Sequence, residues 1–383
     1  MIAICEPQCI GSAHEAVNSG FLHGVRLAYP EERIIFFADQ SHIDAIARVF
    51  AINNIAIDNI EYRPIKIRPL NYFTFSATVR SYFLFKALLS ELMILGIKRL
   101  LLLSISSDGL YGLKTQKNNS ISYSIAIHAV FEWITDGPYS PYKTYLHRKL
   151  LNFKRALQWR HSNKYKYVVL SPHILVEANK HIDIAKYNIS AIFLPFIFSK
   201  KNHIAINKNF VTFATIGQGE PQKVYKIASV LNSKLNLRKY EIRIIGAPVG
   251  RLENVENIIC VSPHKKLTRD QIEEYITGVD IILMLYDKDL YKLTCSGALF
   301  ETFAYVKPII FLSNMCVNYY NSIRNIGYEC SDLDSVIEKM EFLINNYAEA
   351  GEELSHIKNN ILALRSEIDI INASSNIREI LSA

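Results

Sequence analysis

The chain has 383 residues, of which 50% are hydrophobic and 21% are charged. This composition is typical of a folded globular protein and excludes a disordered, collagen-like or disulfide-stapled chain. The length predicts two domains, because single hydrophobic cores rarely grow beyond about 250–300 residues. The six scattered cysteines are expected to be buried free thiols in a reducing compartment.

The net charge of +7 is unevenly distributed. Residues 1–200 carry a net charge of +9 and the remaining residues carry −2, which suggests two domains that face different partners. The apolar run Met1–Cys5 predicts a first strand rather than a signal peptide. The most apolar window, Leu92–Ile105, is interrupted by Lys98 and Arg99 and is too short to cross a bilayer. The chain is therefore expected to be cytoplasmic.

Strands and helices alternate along the first 198 residues. The predicted strands are 2–5, 34–38, 60–67, 99–105, 122–128, 167–170 and 191–196, and the main predicted helices are 13–27, 41–49 and 78–95. Runs of apolar residues that alternate with helical patterns are typical of a parallel sheet covered by helices on both faces. The first half of the chain is therefore predicted to be a doubly wound α/β domain.

Residues 199–209 are polar and basic, which predicts a linker between domains. The alternation then restarts, with predicted strands 210–216, 240–245, 257–261, 281–285 and 308–312, helices 223–235, 268–277 and 298–304, and a mostly helical tail after residue 332. The predicted fold class is α/β, with two Rossmann-like doubly wound domains, 1–198 and 210–383, that face a central cleft and end in a helical tail.

A candidate anion site lies between the strands 281–285 and 308–312. Ser296 is placed to cap the helix that follows, so the first helical N–H groups, beginning at Gly297, can receive a phosphate. Glu301 follows one turn later on nearly the same face, where a carboxylate can accept hydrogen bonds from ribose hydroxyls. The alternative is an ordinary helix cap and a solvated surface acid.

A second phosphate element follows the strand 210–216. It reads Gly217-Gln218-Gly219, and Lys223 begins the next helix. Glycines let the backbone approach a ligand closely, and the lysine directs a positive charge at the same space. The segment lacks the third glycine of a dinucleotide fingerprint and the Gly-Lys-Ser/Thr of a P-loop. The prediction that it binds phosphate therefore depends on its position at the end of a strand.

These residues together resemble the donor-binding half of a GT-B glycosyltransferase of the family-4-like retaining group. In that family a lysine about six residues after a strand-end glycine reaches the donor diphosphate, and Gly217 and Lys223 have this spacing. Glu301 matches the second glutamate of the family's later motif, and Val306-Lys307-Pro308 matches its end, with Val306 in place of the motif's glycine. Leu293 stands where that motif has its first glutamate, so the acid that approaches the donor sugar is missing.

The resemblance implies a metal-independent, retaining hexosyltransferase without a cofactor. Its C-terminal domain would bind a nucleoside-diphosphate sugar through Gly217–Lys223, Ser296-Gly297 and Glu301, and its N-terminal domain would bind a glycan or glycolipid acceptor. The resemblance further implies a lipid-linked acceptor in surface-polysaccharide biosynthesis, such as lipopolysaccharide or capsule. The sequence Asp287-Lys288-Asp289 matches the metal-binding Asp-x-Asp motif. We interpret it as a charged surface loop, so no metal is assigned.

Three histidines near strand ends of the first domain could position or deprotonate an acceptor hydroxyl. His14 follows the loop after the first strand, His128 ends the strand 122–128, and His173 follows the strand 167–170. His128 also resembles in position the strand-end histidine of many GT-B enzymes. His14 and His128 are the catalytic candidates and His173 is an acceptor-side candidate. The alternative for each is a packed or surface histidine.

Residues 142–167 contain eight lysines and arginines, no acid, and interleaved aromatic residues. This pattern fits docking on an anionic membrane surface, and the alternatives are nucleic-acid binding and a solvated helix face. We favour a peripheral position on the inner face of the membrane and no nucleic-acid partner.

Two other functions remain open. A GT-B sugar-nucleotide epimerase would share the donor site, and a non-catalytic scaffold subunit would account for Leu293 at the first-glutamate position.

Overall fold

The computed structural model describes residues 1–56, 58–67, 75–116, 120–135, 151–198, 210–217, 220–235, 239–246, 253–262 and 267–382. The predicted linker 199–209, the residues Gln218 and Gly219, and residues 142–150 of the basic segment lie outside these described residues. The chain divides into two compact units. Unit 1 is Met1–Ile197, Lys292–Cys295 and Ile368–Ala383, and unit 2 is Phe198–Tyr291 and Ser296–Glu367.

The strands of unit 1 are β1 (Ile2–Cys5), β2 (Ile34–Ala38), β3 (Ile60–Pro64), β4 (Arg99–Leu102), β5 (Ser122–Ile127), β6 (Tyr165–Val169) and β7 (Ile189–Ala191). They form a parallel sheet in the order β3-β2-β1-β4-β5-β6-β7. β1 and β2 are buried along their whole length, as expected where helices cover both faces. The strand order reverses between β1 and β4, where ligands bind in such sheets.

The described helices of unit 1 are α1 (Glu15–Ala28), α2 (Gln40–Ile52), α3 (Phe75–Ile94), α4 (Ser107–Lys114), a 3₁₀ helix (Ala129–Trp133), α5 (Phe153–Gln158), α6 (Pro172–Ala178) and α13 (Ile370–Leu381). The last of these packs on α1, where a Cβ on Gly24 would lie 2.5 Å from Ile377 Cδ1. Ser124 of β5 also donates a hydrogen bond to the carbonyl of Ile380 at 2.9 Å. This final helix was predicted to belong to the second domain, whereas it packs on the first sheet.

The strands of unit 2 are β8 (Val211–Gly217), β9 (Tyr240–Gly246), β10 (Ile258–Cys260), β11 (Ile281–Met284), β12 (Ile309–Leu312) and β13 (Gly327–Cys330). They form a second parallel sheet in the order β10-β9-β8-β11-β12-β13, which reverses between β8 and β11. Its described helices are α7 (Pro221–Lys234), α8 (Arg269–Thr277), α9 (Gly297–Ala304), α10 (Met315–Ile323), α11 (Leu333–Asn345) and α12 (Gly351–Glu367).

The structure confirms the predicted α/β class, the two Rossmann-like parallel sheets and the helical tail. The strand predicted at 191–196 is instead β7, which ends at Ala191, and β13 and α4 were not predicted. Helix α4 contains Gly109 and Gly112, and glycines weaken a helical pattern. A Cβ on Gly112 would lie 2.8 Å from the backbone nitrogen of Tyr82 on α3, so close packing between these helices requires a glycine there.

All six cysteines are free thiols. Burial, and to a smaller extent the neighbouring Glu6, raise the pKa of the Cys5 thiol well above its usual value. In the part of the chain that the structure describes, no helix combines the length and the apolar character that a membrane span requires.

Candidate functional site

In unit 2 the carboxyl end of β8 lies beside the N-terminus of α9. Gly217 ends β8 with a φ of +84°, and a Cβ on this residue would lie 3.9 Å from the Cβ of Ala298. β8 and β11 are neighbours at the point where the strand order reverses, so the loops that follow them open at the same edge of the sheet. The fold therefore brings the two predicted phosphate elements together.

Ser296 caps α9 as predicted. Its Oγ accepts a hydrogen bond from the N–H of Leu299 at 3.3 Å and lies 2.8 Å from the hydroxyl of Tyr286. Ser296 is fully buried, whereas Gly297 is exposed, and apart from its adjoining residues and the backbone of its own helix no described atom lies within 4 Å of where its Cβ would be. The hydroxyl is thus engaged in the cap, and an anion would approach the first backbone N–H groups of the helix.

Lys223 lies in the first turn of α7 and reaches the loop after β11. Its Nζ donates to the carbonyl of Leu285 at 2.6 Å and to Asp287 Oδ1 at 2.7 Å, and it lies 3.7 Å from the carboxylate of Glu220. Asp287 is the first acid of the Asp-x-Asp sequence and its side chain is 75% exposed. The predicted phosphate-binding lysine is therefore paired with an exposed carboxylate.

Two residues that were not singled out from the sequence shape the loop after β11. Asn314 is buried, and its Nδ2 donates to the carbonyls of Asp287 at 3.0 Å and Leu290 at 2.7 Å. The ring of Tyr286, which hydrogen-bonds the capping serine, contacts the ring of Tyr291 with centroids 4.7 Å apart. The sequence feature that could have identified Asn314 is its position, since it is an amide residue two positions after an apolar strand.

Glu301 lies on α9, four residues after Gly297 and so on nearly the same face, and it is half-buried. Among the residues that the structure describes, no group of three or more histidines, cysteines and acids is arranged to hold a metal ion. Metal independence and the role of Glu301 both stay predictions.

In unit 1 the loop after β1 is organised by Glu6, which is fully buried. Its Oε1 accepts hydrogen bonds from the N–H groups of Gln8 at 2.8 Å and Cys9 at 3.0 Å and from the hydroxyl of Ser104. Its Oε2 accepts a hydrogen bond from Asn18 Nδ2 at 3.0 Å. Glu6 was not predicted as a site residue, although an acid directly after an apolar strand was a usable signal.

The two predicted catalytic histidines lie side by side, with ring centroids 4.9 Å apart. His14 precedes α1 with a φ of +55°, a left-handed conformation that is uncommon for a non-glycine residue. Burial, together with the neighbouring His14, lowers the pKa of His128 to about 3, and a hydrogen bond to the carbonyl of Leu103 opposes this shift. The Nε2 of His128 is buried without a hydrogen-bond partner among the described residues. His128 is therefore a neutral imidazole at pH 7, and its Nε2 can accept a hydrogen bond but is too weakly basic to hold a proton.

His173 is buried, and both of its ring nitrogens have partners within unit 1. Nδ1 lies 2.7 Å from Ser171 Oγ and Nε2 lies 3.2 Å from the carbonyl oxygen of Thr294. The contact with Thr294 holds the segment Lys292–Cys295, whose Leu293 is buried in the hydrophobic core of unit 1. The position where the family motif has its first glutamate thus carries a core residue, and the role predicted for His173 stays a prediction.

The described part of the basic segment is partly engaged within unit 1. Lys154 Nζ donates to the carbonyl of His181 at 2.8 Å, and Lys164 Nζ lies 5.3 Å from the ring centroids of Tyr123 and Tyr165. These contacts support the fold of unit 1 and leave membrane docking untested.

No protein-family model and no curated protein sequence matches the chain. Solved structures with a similar fold include WaaG, described as a glycosyltransferase involved in lipopolysaccharide biosynthesis, with a TM-score of 0.58 and 10% identity over 100% of both chains. The Anabaena protein HepE in complex with UDP and glucose has a TM-score of 0.64 and 12% identity over 100% of both chains.

A Listeria monocytogenes protein assigned as a UDP-N-acetylglucosamine 2-epimerase has a TM-score of 0.50 and 13% identity, and the match covers 98% of this chain and 94% of that one. At these identities the common feature is the fold. The two Rossmann-like parallel sheets and the glycosyltransferase neighbours together show that this chain has the GT-B fold.

Proposed function

We propose that this chain is a glycosyltransferase that moves a sugar from a nucleoside-diphosphate sugar to a hydroxyl of an acceptor. The observation that carries the proposal is the meeting of Gly217, Lys223 and the N-terminus of α9 at the carboxyl edge of the unit 2 sheet. Together these groups are suited to bind a diphosphate. The glycine permits close approach of the backbone, the lysine supplies a positive charge, and the first turn of the helix offers backbone N–H groups. The HepE structure, which holds UDP and glucose on the same fold, supports a nucleotide-sugar ligand.

In this proposal the reaction breaks the bond between the sugar and the diphosphate and forms a glycosidic bond to the acceptor oxygen. Lys223 and the N-terminus of α9 stabilise the negative charge of the leaving diphosphate, so no metal ion is required for that task. Lys223 exchanges its contact with Asp287 for the phosphate oxygens, and Glu301 accepts hydrogen bonds from the ribose hydroxyls.

The acceptor hydroxyl is held in unit 1 by the pair His14 and His128. A neutral His128 can accept a hydrogen bond from that hydroxyl through Nε2 and so orient it for attack. The retaining outcome is proposed from the family resemblance. Because Leu293 is a core residue, the donor-sugar contact must come from other residues than in the family.

The acceptor is proposed to be a lipid-linked glycan in surface-polysaccharide biosynthesis, reached by a cytoplasmic protein at the inner face of the membrane. The support is the resemblance, the description of WaaG as a lipopolysaccharide enzyme and the cationic composition of residues 142–167. The engagement of Lys154 and Lys164 within unit 1 leaves fewer of those cations for a membrane surface.

Calorimetric titration of the full chain with UDP, GDP, ADP and CMP tests the donor site. We expect one nucleotide to bind with a micromolar Kd, and Lys223→Met and Glu301→Ala each to weaken that binding about tenfold or more. Lys226→Met is the matched control, because Lys226 is an exposed lysine on the same helix, and it should leave the Kd unchanged. If no nucleotide binds, the proposed function is wrong.

An epimerase is the second candidate, favoured by the Listeria neighbour on the same fold. It would need the donor site but no acceptor. Analysis of the products formed from the nucleotide sugar separates the two functions, since a transferase releases a nucleoside diphosphate only with an acceptor or water, whereas an epimerase returns an isomeric nucleotide sugar. Nucleotide binding without either product would favour a non-catalytic subunit.

A further inference from the structure

Unit 1 contains a cavity of about 370 Å³, which is in the range of pockets for small ligands. Its lining comes from the segments after β1, β3 and β4 and from α3, and it includes Gln8, Lys66, Ile67, Arg80, Leu84 and Ile105. β1 and β4 flank the point where the strand order reverses, which is the ligand-binding position in such sheets.

The walls of this cavity are held in place by the buried carboxylate of Glu6. Its Oε1 accepts a hydrogen bond from the N–H of Gln8 on one wall. The same oxygen accepts a hydrogen bond from the hydroxyl of Ser104, which immediately precedes Ile105 on another wall. A buried acid that bonds two separate loops fixes their spacing, so the cavity is formed before any ligand binds.

The cavity carries two positive charges, from Lys66 and Arg80. Neither side chain forms an ion pair with any carboxylate in the described ranges, and Arg80 Nε is buried with no hydrogen-bond partner there. Asp108, a buried acid on α4, instead accepts a hydrogen bond from Ser81 at 3.3 Å. A buried donor without an acceptor is destabilising, and an anionic ligand would supply the missing acceptor.

We propose that this cavity binds a phosphate group of the acceptor, so that the acceptor is a phosphorylated hydroxyl compound. This inference rests on the proposed function and adds the chemical class of the acceptor. A phosphate monoester carries about −1.5 to −2 charges at pH 7, which the two cations match, and the planar guanidinium of Arg80 fits phosphate oxygens. Ile67, Leu84 and Ile105 provide apolar surface for a sugar-ring face or a hydrocarbon chain.

The cavity shares two loops with the histidine pair. His14 ends the loop that begins at Glu6, and His128 hydrogen-bonds the carbonyl of Leu103, next to Ser104. An acceptor anchored by its phosphate in the cavity would therefore have its hydroxyl in the same region of unit 1. The phosphate can belong to a soluble sugar phosphate or to a lipid headgroup, and the two sources share this recognition chemistry.

The test is calorimetric titration of the full chain with glucose 6-phosphate, glucose and inorganic phosphate, and co-sedimentation with phosphatidylcholine vesicles with and without phosphatidic acid. The variants are Lys66→Gln, Arg80→Gln and Arg80→Lys. Lys66 is exposed, so Lys66→Gln tests the inference even if Arg80→Gln does not fold. Lys86→Gln is the control, because Lys86 is an exposed lysine on the same helix as Arg80.

We expect a phosphate-bearing probe to bind and glucose not to bind. Lys66→Gln and Arg80→Gln should each weaken the binding of the phosphate probe about tenfold. Arg80→Lys should weaken it less, and Lys86→Gln should leave it unchanged. Binding of glucose 6-phosphate identifies a soluble source, and binding only to vesicles that contain phosphatidic acid identifies a lipid source. Equal affinity in Lys66→Gln and wild type, or no binding of any phosphate probe, overturns the inference. Because UDP, GDP, ADP and CMP are titrated separately, failure here with nucleotide binding intact leaves the proposed function standing.

Discussion

The two units contain parallel sheets whose strand order reverses in the same way, yet different kinds of chemical group form their candidate sites. In unit 2 the candidate phosphate-binding part of the site consists of backbone groups and one lysine, at Gly217, Lys223 and the start of α9. In unit 1 it consists of buried side chains, with Glu6 and His128 each held by hydrogen bonds to other loops. The candidate phosphate site of unit 2 thus arises from local conformation, whereas the candidate site of unit 1 depends on a polar network in the interior.

This difference predicts different consequences of mutation. Substitutions in the unit 1 network leave buried polar groups without partners, so they should reduce the free energy of unfolding. Substitutions of the exposed side chains in unit 2 should change nucleotide affinity with little effect on stability. The expected effects therefore decrease from the interior of unit 1 to the surface of unit 2.

Leu293→Glu should destabilise unit 1 by about 3–5 kcal/mol, because it buries an unpaired carboxylate in the hydrophobic core. Urea denaturation followed by tryptophan fluorescence measures this change. The matched control is Leu290→Glu, at a site that is 37% exposed, which should cost less than about 1 kcal/mol. A stable Leu293→Glu variant would contradict the interpretation that Leu293 replaces the first glutamate because the position belongs to the core.

Glu6→Ala should cost about 2–4 kcal/mol, because the N–H groups of Gln8 and Cys9 and the amide of Asn18 lose their acceptor. Denaturation of this variant and of Glu31→Ala, an exposed acid in the same unit, provides the comparison. Nucleotide binding should persist in the folded variant. A loss of stability no greater than that of Glu31→Ala would show that the network is not stabilising.

The stability of unit 1 should fall as the pH is lowered, because the pKa of His128 is reduced to about 3 in the folded state. Below the unfolded-state pKa of about 6.5 the unfolded chain binds a proton that the folded chain does not. The contribution of neutral His128 to the free energy of unfolding is therefore fully present above pH 6.5 and is lost as the pH falls towards 3. Between pH 7.5 and 5 the free energy of unfolding should decrease by about 2 kcal/mol. The pKa of His23 is also lowered, chiefly by burial, so the difference between wild type and His128→Gln isolates His128. Identical pH profiles for the two would contradict the assignment.

Asp287→Asn should tighten nucleotide binding a few-fold without changing stability measurably. The substitution removes the exposed carboxylate that pairs with Lys223 at 2.7 Å, and exposed ion pairs contribute at most about 1 kcal/mol. Calorimetry with the nucleotide that binds wild type measures the change, and Asp289→Asn in the same exposed loop is the control. Weaker binding in Asp287→Asn would mean that Asp287 positions the lysine rather than competing for it.

Most of the fold could be predicted because parallel strands buried on both faces leave uninterrupted apolar runs, as in β2 and β11. The helix α4 was missed because its two glycines weaken the helical pattern. One of them, Gly112, is required for close packing against α3, which is a demand of tertiary structure. In the site, Ser296 was predictable because a helix cap is a local motif. Asn314 was not, because its amide stabilises a loop far from it in sequence.

The sequence by itself determined the two parallel sheets and the cap at Ser296, because periodicity and capping act over a few residues. The phosphate-binding role of Gly217, Lys223 and this helix start stays a prediction. Only the tertiary structure decided that β8 places Gly217 beside α9, that His14 and His128 meet, and that Leu293 is a core residue. The reason is that the partners of a buried group come from other strands and loops, and chain folding alone brings those into contact.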